Sequence, residues 1–171
     1  MATESSSNTF TSEFRKISGP LGADLTRVDS SPKFTLGQTC FDTRGGEYIY
    51  LKGVASVAEG SWVSYCIAGD ITAAVALATT TTIDLRDPLA VACAAVVASS
   101  YGWFQIRGIC YASYLVSMAL GNTVQSTATA GSMDDANTTT IYGVKCFETE
   151  GGTGTDTLRT WIQYPQAGIA L

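Results

Sequence analysis

The side chains able to do chemistry are few and poorly grouped for it. The chain contains no histidine, which removes the commonest general base and any Ser-His or Cys-His nucleophile pair. A Ser-Lys dyad would have to draw on Lys16, Lys33, Lys52 or Lys145, none of which stands in a recognisable signature. Paired carboxylates occur at Asp134 and Asp135, and at Asp84 and Asp87. Both pairs sit in runs of small polar residues, where acids ordinarily form turns. Asp134 and Asp135 with Asn137 offer oxygen atoms for a cation, but at a spacing that matches no calcium loop. The five cysteines, Cys40, Cys66, Cys93, Cys110 and Cys146, are far apart and odd in number, without a C-x-x-C pair. They read as small buried thiols kept reduced. Gly151, Gly152 and Gly154 make a glycine-rich run, yet no Lys-Ser/Thr pair or helix follows to cradle a phosphate. Trp62, Trp103 and Trp161 could stack on sugar rings, but each falls inside a strand-like run, where packing is the default use of an indole. The sequence thus predicts a protein that is not an enzyme and holds no metal or cofactor.

Without a reactive site to position, the elements themselves carry the reading. Hydrophobic residues make up 46% of the 171 residues, enough for one core, whereas charged residues make up only 15%, below the usual proportion of about a quarter. Thr, Ser, Asn and Gln must supply much of the polar surface, and Thr suits the solvent face of strands. A surface with so few charges relies on other means to stay apart from its neighbours, or is meant to associate. The net charge is −5 and the ten Lys and Arg are scattered, so no basic stripe exists to track a row of phosphates and no direct nucleic-acid partner is expected. The N-terminus lacks the basic-then-apolar order of a signal peptide. The longest apolar run, residues 89–98, is far too short to span a membrane. The expectation is a protein made in a cytoplasm with no membrane partner.

The most informative block is residues 94–108, AAVVASSYGWFQIRG. An apolar run of strand length meets Ser99 and Ser100, and an alternating aromatic run follows. Trp103, Gln105 and Arg107 share one face, with Phe104 and Ile106 on the other. Period two predicts a half-buried strand, and the serine pair predicts a tight reversal. Further strands are expected over residues 47–55, 62–67, 71–78, 89–98, 109–118, 123–128, 140–148 and 157–164, the last ending before Pro165. Loops are expected over 79–88 and 131–139. An Ala-rich helix over 89–98 is the alternative there; Val91, Val96 and Val97 favour the strand. Regular strands with turn signals between them predict a mainly β fold, a compact antiparallel β-barrel or sandwich, over residues 37–171. Residues 1–36 differ and are expected to form an extended N-terminal arm. Phe10, Phe14 and Ile17 follow the i, i+4, i+7 spacing of one helical face, and Leu21 and Leu25 continue the apolar series past Gly19 and Pro20. The arm either packs back on its own domain or docks these residues on a neighbour.

Several runs, taken in order, resemble one family. They are residues 21–29 (LGADLTRVD), 32–37 (PKFTLG), 48–52 (YIYLK), 62–65 (WVSY), 101–108 (YGWFQIRG), 129–135 (TAGSMDD), 141–144 (IYGV) and 160–165 (TWIQYP). Their order and spacing are similar to those of small head proteins encoded beside the major capsid protein of tailed bacteriophages, the decoration or cement proteins. The first twenty residues, Cys66 and Cys110 fall outside that pattern. The resemblance implies a β-rich structural protein on the outer capsid surface of the virion, bound to the major capsid protein and to copies of itself, often as a homotrimer. With it, Phe10, Phe14, Ile17, Leu21 and Leu25 become the expected contacts to capsid or neighbour. The competing expectations are a tail or fibre adhesin module that binds a host glycan through exposed tryptophans, and a small hydrolase using Asp134 and Asp135.

Overall fold

A computed structural model of the chain describes residues 17–18, 23–116, 118–136, 139–149 and 156–168. Among these described residues eleven strands follow in order: β1 (Ile17–Ser18), β2 (Thr39–Asp42), β3 (Glu47–Lys52), β4 (Trp62–Ser64), β5 (Ala76–Leu77), β6 (Leu89–Ala92), β7 (Tyr101–Tyr114), β8 (Gln125–Ser126), β9 (Met133–Asp134), β10 (Ile141–Cys146) and β11 (Asp156–Ala167). The fold is mainly β, as the strand periodicity predicts. The strands form one sheet whose path runs β1-β2-β3-β7-β6-β4-β5 without closing into a barrel. The pairings between these strands are antiparallel except that of β7 with β9 at Tyr114 and Met133, which is parallel.

Strand β7 organises the sheet. Residues 101–107 pair with β3, Phe104 and Gln105 also pair with β6, and residues 107–114 pair with β11. The partner changes near Gly108. Its φ of +100° lies where side chains are strained, and an added Cβ would come within 2.9 Å of Gly46 Cα. The Gln105 amide spans this irregularity, donating to the carbonyls of Arg107 at 2.9 Å and Ile109 at 3.1 Å. The chain therefore passes through Gly108 as one strand of 14 residues, where the sequence predicted two.

Residues 101–106 are not half-buried as expected. Trp103 and Gln105 are as buried as Phe104 and Ile106. Phe104 and Ile106 join Ile49, Leu51, Val63, Val75 and Val96 in one cluster, whereas Trp103 joins Tyr48, Tyr50, Cys40, Cys93 and Leu25 in another. The second cluster is roofed by residues 23–36. Phe34 stacks within 5.2 Å of the Tyr50 ring and 5.3 Å of the Trp103 ring. Asp29 exchanges two backbone hydrogen bonds with Tyr101, and its carboxylate accepts from the Tyr50 hydroxyl at 2.8 Å and from Arg27 Nε at 2.8 Å. Burial pushes the Tyr50 hydroxyl up to about 12, so it stays a donor at ordinary pH. The segment 23–36, read from sequence as arm, is thus pinned to the body. A third, larger cluster holds Trp62, Leu89, Val91, Cys110, Ala112, Tyr114, Met118, Met133, Leu158 and Ile162.

Several strands are shorter than predicted. β6 ends at Ala92, and residues 93–100 form the reversal, with Ser99 at φ 61° and the Ser100 N–H donating to Val97 O at 3.1 Å. β4 stops at Ser64 before a 3₁₀ turn at Ile67–Gly69, and only Ala76–Leu77 of the run 71–78 is strand. β11, in contrast, runs through Pro165 to Ala167. Gln163, Tyr164 and Pro165 stand opposite Gly143 alone, in a bulge that spares the ladder the amide hydrogen proline lacks.

Candidate interaction surface

The carboxylate pairs prove to be turn formers. Asp135 Oδ2 accepts from Asn122 Nδ2 at 2.6 Å and from the Ala119 N–H at 3.0 Å. The Asn122 bond, with help from Ala119, holds the Asp135 carboxyl below its usual range. Asp134 accepts the Asp135 N–H, and Asp87 accepts the Asp84 N–H at 2.9 Å. The carboxylates of Asp87, Asp134 and Asp135 each fix a loop or strand-end backbone. All five cysteines are free thiols, and Cys40, Cys93, Cys110 and Cys146 are buried. Burial, followed by the nearby Asp42 charge, pushes Cys40 up to about 12, the opposite of an activated nucleophile. Among the described residues no group of three or more His, Cys, Asp or Glu is placed to hold a metal ion, and no helix is long and apolar enough to cross a membrane.

The predicted arm contacts separate into three cases. Phe10, Phe14 and Leu21 lie outside the described residues, as does the glycine run 151–154. Ile17 lies on β1 and pairs with Asp42. Leu25 is 2% exposed inside the cluster with Tyr48 and Trp103, so it packs within its own chain and has no surface to offer a neighbour.

What the chain leaves open is a face built by β7, β11 and β10. Register places Ile109 opposite Trp161, and Trp161 opposite Lys145, in one row across three strands. Above it Arg107 stands opposite Gln163; below it Tyr111 stands opposite Arg159. Phe147 continues the lower row, its N–H donating to Arg159 O at 2.9 Å. The inward residues between them, Cys110, Leu158, Thr160 and Ile162, are core, so alternation forces this set outward. Ile109 is 50% exposed and Trp161 37%, whereas Trp62 and Trp103 are buried. Arg159 Cζ and Lys145 Nζ lie 5.8 and 5.9 Å from the Phe147 ring centroid, within cation–π range. Beside the rows, Asp42, Arg44, Gly46, Ile109, Tyr111 and Arg159 line a depression of about 270 Å³.

Sequence reading placed Trp161 among packed strand indoles and did not single out this face. The signal was present as alternation across residues 157–163 and 109–111, but which side of those strands the core takes depends on partners distant in sequence. A second open region is the groove of about 400 Å³ between residues 121–124 and 140–145, beside the exposed edge residues Tyr142 and Lys145. No protein-family model, no curated protein and no solved structure matches this chain.

Proposed function

We propose that this chain is a structural virion protein. It binds the outer surface of a tailed-phage capsid and cements neighbouring capsid subunits, working as a homotrimer and without catalysis. Two things support this reading. The ordered resemblance over residues 21–165 points to head decoration. The observation that carries it structurally is the row Ile109–Trp161–Lys145, in which an apolar, aromatic pair is left bare beside a cation while Cys110, Leu158, Thr160 and Ile162 are packed behind it. A rigid face of this kind suits adhesion, because little side-chain or backbone freedom remains to be lost on contact.

The mechanism is multivalent clamping. A standard contact buries about 800 Å² per partner, and a smaller one holds weakly by itself. When three joined copies each touch the shell, the second and third contacts become intramolecular, and avidity rises by orders of magnitude. Ties between shell subunits then raise the cost of separating them under pressure from packed DNA. Residues 1–20 are proposed to add a reaching element, with Phe10 and Phe14 seated in a neighbour's groove or a strand added to its sheet edge.

The test is re-addition of purified protein to heads that lack it, counting bound copies. Saturable binding and greater resistance to heat or pressure are expected. Full occupancy by a chain lacking residues 1–20 would remove the arm from the mechanism. One observation favours a second reading, the glycan-binding adhesin: Trp161 alone of the three tryptophans offers its ring to solvent. Binding to a glycan array without binding to heads would select that reading.

A further inference from the structure

We infer that the β7–β11–β10 face is the surface pressed against the shell, and that the shell patch it fits is acidic around an apolar centre. This rests on the capsid reading above and names the gripping surface and the chemistry of its partner. The chain is acidic overall, at −5, yet this face is basic. Arg107, Lys145 and Arg159 project from its rows and Arg44 stands at its rim, all four exposed. The acids beside it are turned to other work. Asp42 accepts from the N–H groups of Arg44 and Gly46 and from the Tyr48 hydroxyl. Glu47 is buried and accepts the Tyr164 hydroxyl. Glu148 answers Arg159, at 3.7 Å from its Nε. Against the four cations stand Asp42, Glu47 and Glu148, the first two buried, so the exposed face keeps a small positive surplus around the apolar pair Ile109 and Trp161.

A partner that buries that pair must desolvate the surrounding cations, which is costly unless it brings carboxylates to meet them. Leu120, exposed elsewhere, carries the opposite bias: it lies close to Asp135 through the adjacent Ala119 N–H. An acidic shell patch would be repelled there and drawn to β7–β11–β10, so charge selects the docking orientation. The cations are too few and too clustered to follow a nucleic-acid backbone over any length.

The experiment adds purified protein to heads lacking it and measures occupancy against concentration at low and high salt. Wild type is compared with Ile109→Ser/Trp161→Ser, with Arg44→Glu/Lys145→Glu, and with Leu85→Ser as a control outside the face. Thermal melts verify that each is folded, and the charge pair, both residues exposed, guards against a fold defect in the apolar pair. The inference expects both face variants to lose at least tenfold in affinity, Leu85→Ser to bind as wild type, and wild-type binding to weaken with salt more steeply than that of the charge variant. Wild-type affinity in both face variants would overturn it while leaving the capsid reading intact. So would face variants that still fill the shell but, in sedimentation run alongside, lose self-association, which would give the face to a second copy. Failure of wild type to bind heads at all would sink the capsid reading, and this inference with it.

Discussion

Residues 101–106 and residues 107–114 belong to one continuous strand, β7, and have the same alternating pattern, yet they meet different fates. In the first half both sides are buried: Phe104 and Ile106 under residues from β3, β4 and β6, Trp103 under Phe34, Leu36 and Leu25. In the second half Cys110, Ala112 and Tyr114 are core, while Arg107 and Ile109 are exposed and Tyr111 is partly so. The strand's own residues do not create the difference. A separate stretch of chain, residues 23–36, lies across the first half, whereas in the second Arg107 and Ile109 stay exposed beside the turn that carries Arg44 and Gly46. The covered half builds the body; the open half is the surface on which a partner can act.

Substitutions that break this comparison are ranked by expected effect. Trp103→Ala should be the most damaging, at about 3–5 kcal/mol of stability by urea denaturation, because it empties the space between Tyr50 and Phe34. A loss under about 1 kcal/mol would mean that the roof over the first half is loose. Leu25→Ala should cost about 2–5 kcal/mol in the same assay, which tests whether residues 23–36 are truly body. On the open half, Ile109→Ser and Trp161→Ser should each shift stability by no more than about 0.5 kcal/mol. Large losses there would show that the face is held by packing within the chain.

The smallest effect concerns pH. Asp135 has its carboxyl held below the usual range of about 3.9. Its contribution is present above the unfolded value and is lost as pH falls through the lower folded one. Melting temperature from neutral pH into strong acid should therefore fall less steeply in Asp135→Asn than in wild type. Identical profiles would show that the Asn122 bond does not matter in solution.

Much of this was legible in the chain, and what was missed has a common cause. Period two at residues 101–107 and the serine reversal are local signals, and they mark real elements. Asp87 and Asp134 read as turn formers for a local reason too, since each accepts an N–H of its own loop, whereas Asp135 reaches the distant Ala119 and Asn122. Burial of Trp103 could not be read from β7, because its cover arrives from some seventy residues earlier. Trp161 was misplaced for the converse reason: a strand pattern shows that a face exists, not that another layer will cover it. Pro165 looked like a strand end, and only the bulge opposite Gly143 lets β11 continue past it. The arm boundary fell at residue 36 because composition changes there, although packing already begins by Ala23.

The central claim is that this protein acts by gripping the outside of a shell with a bare sheet face. An electron cryomicroscopy map of purified heads, with and without the protein, tests it most directly. The account predicts added density on the outer surface, where shell subunits meet, with β7, β11 and β10 turned towards the shell. Density inside the head against the genome, or no density at all, would contradict it.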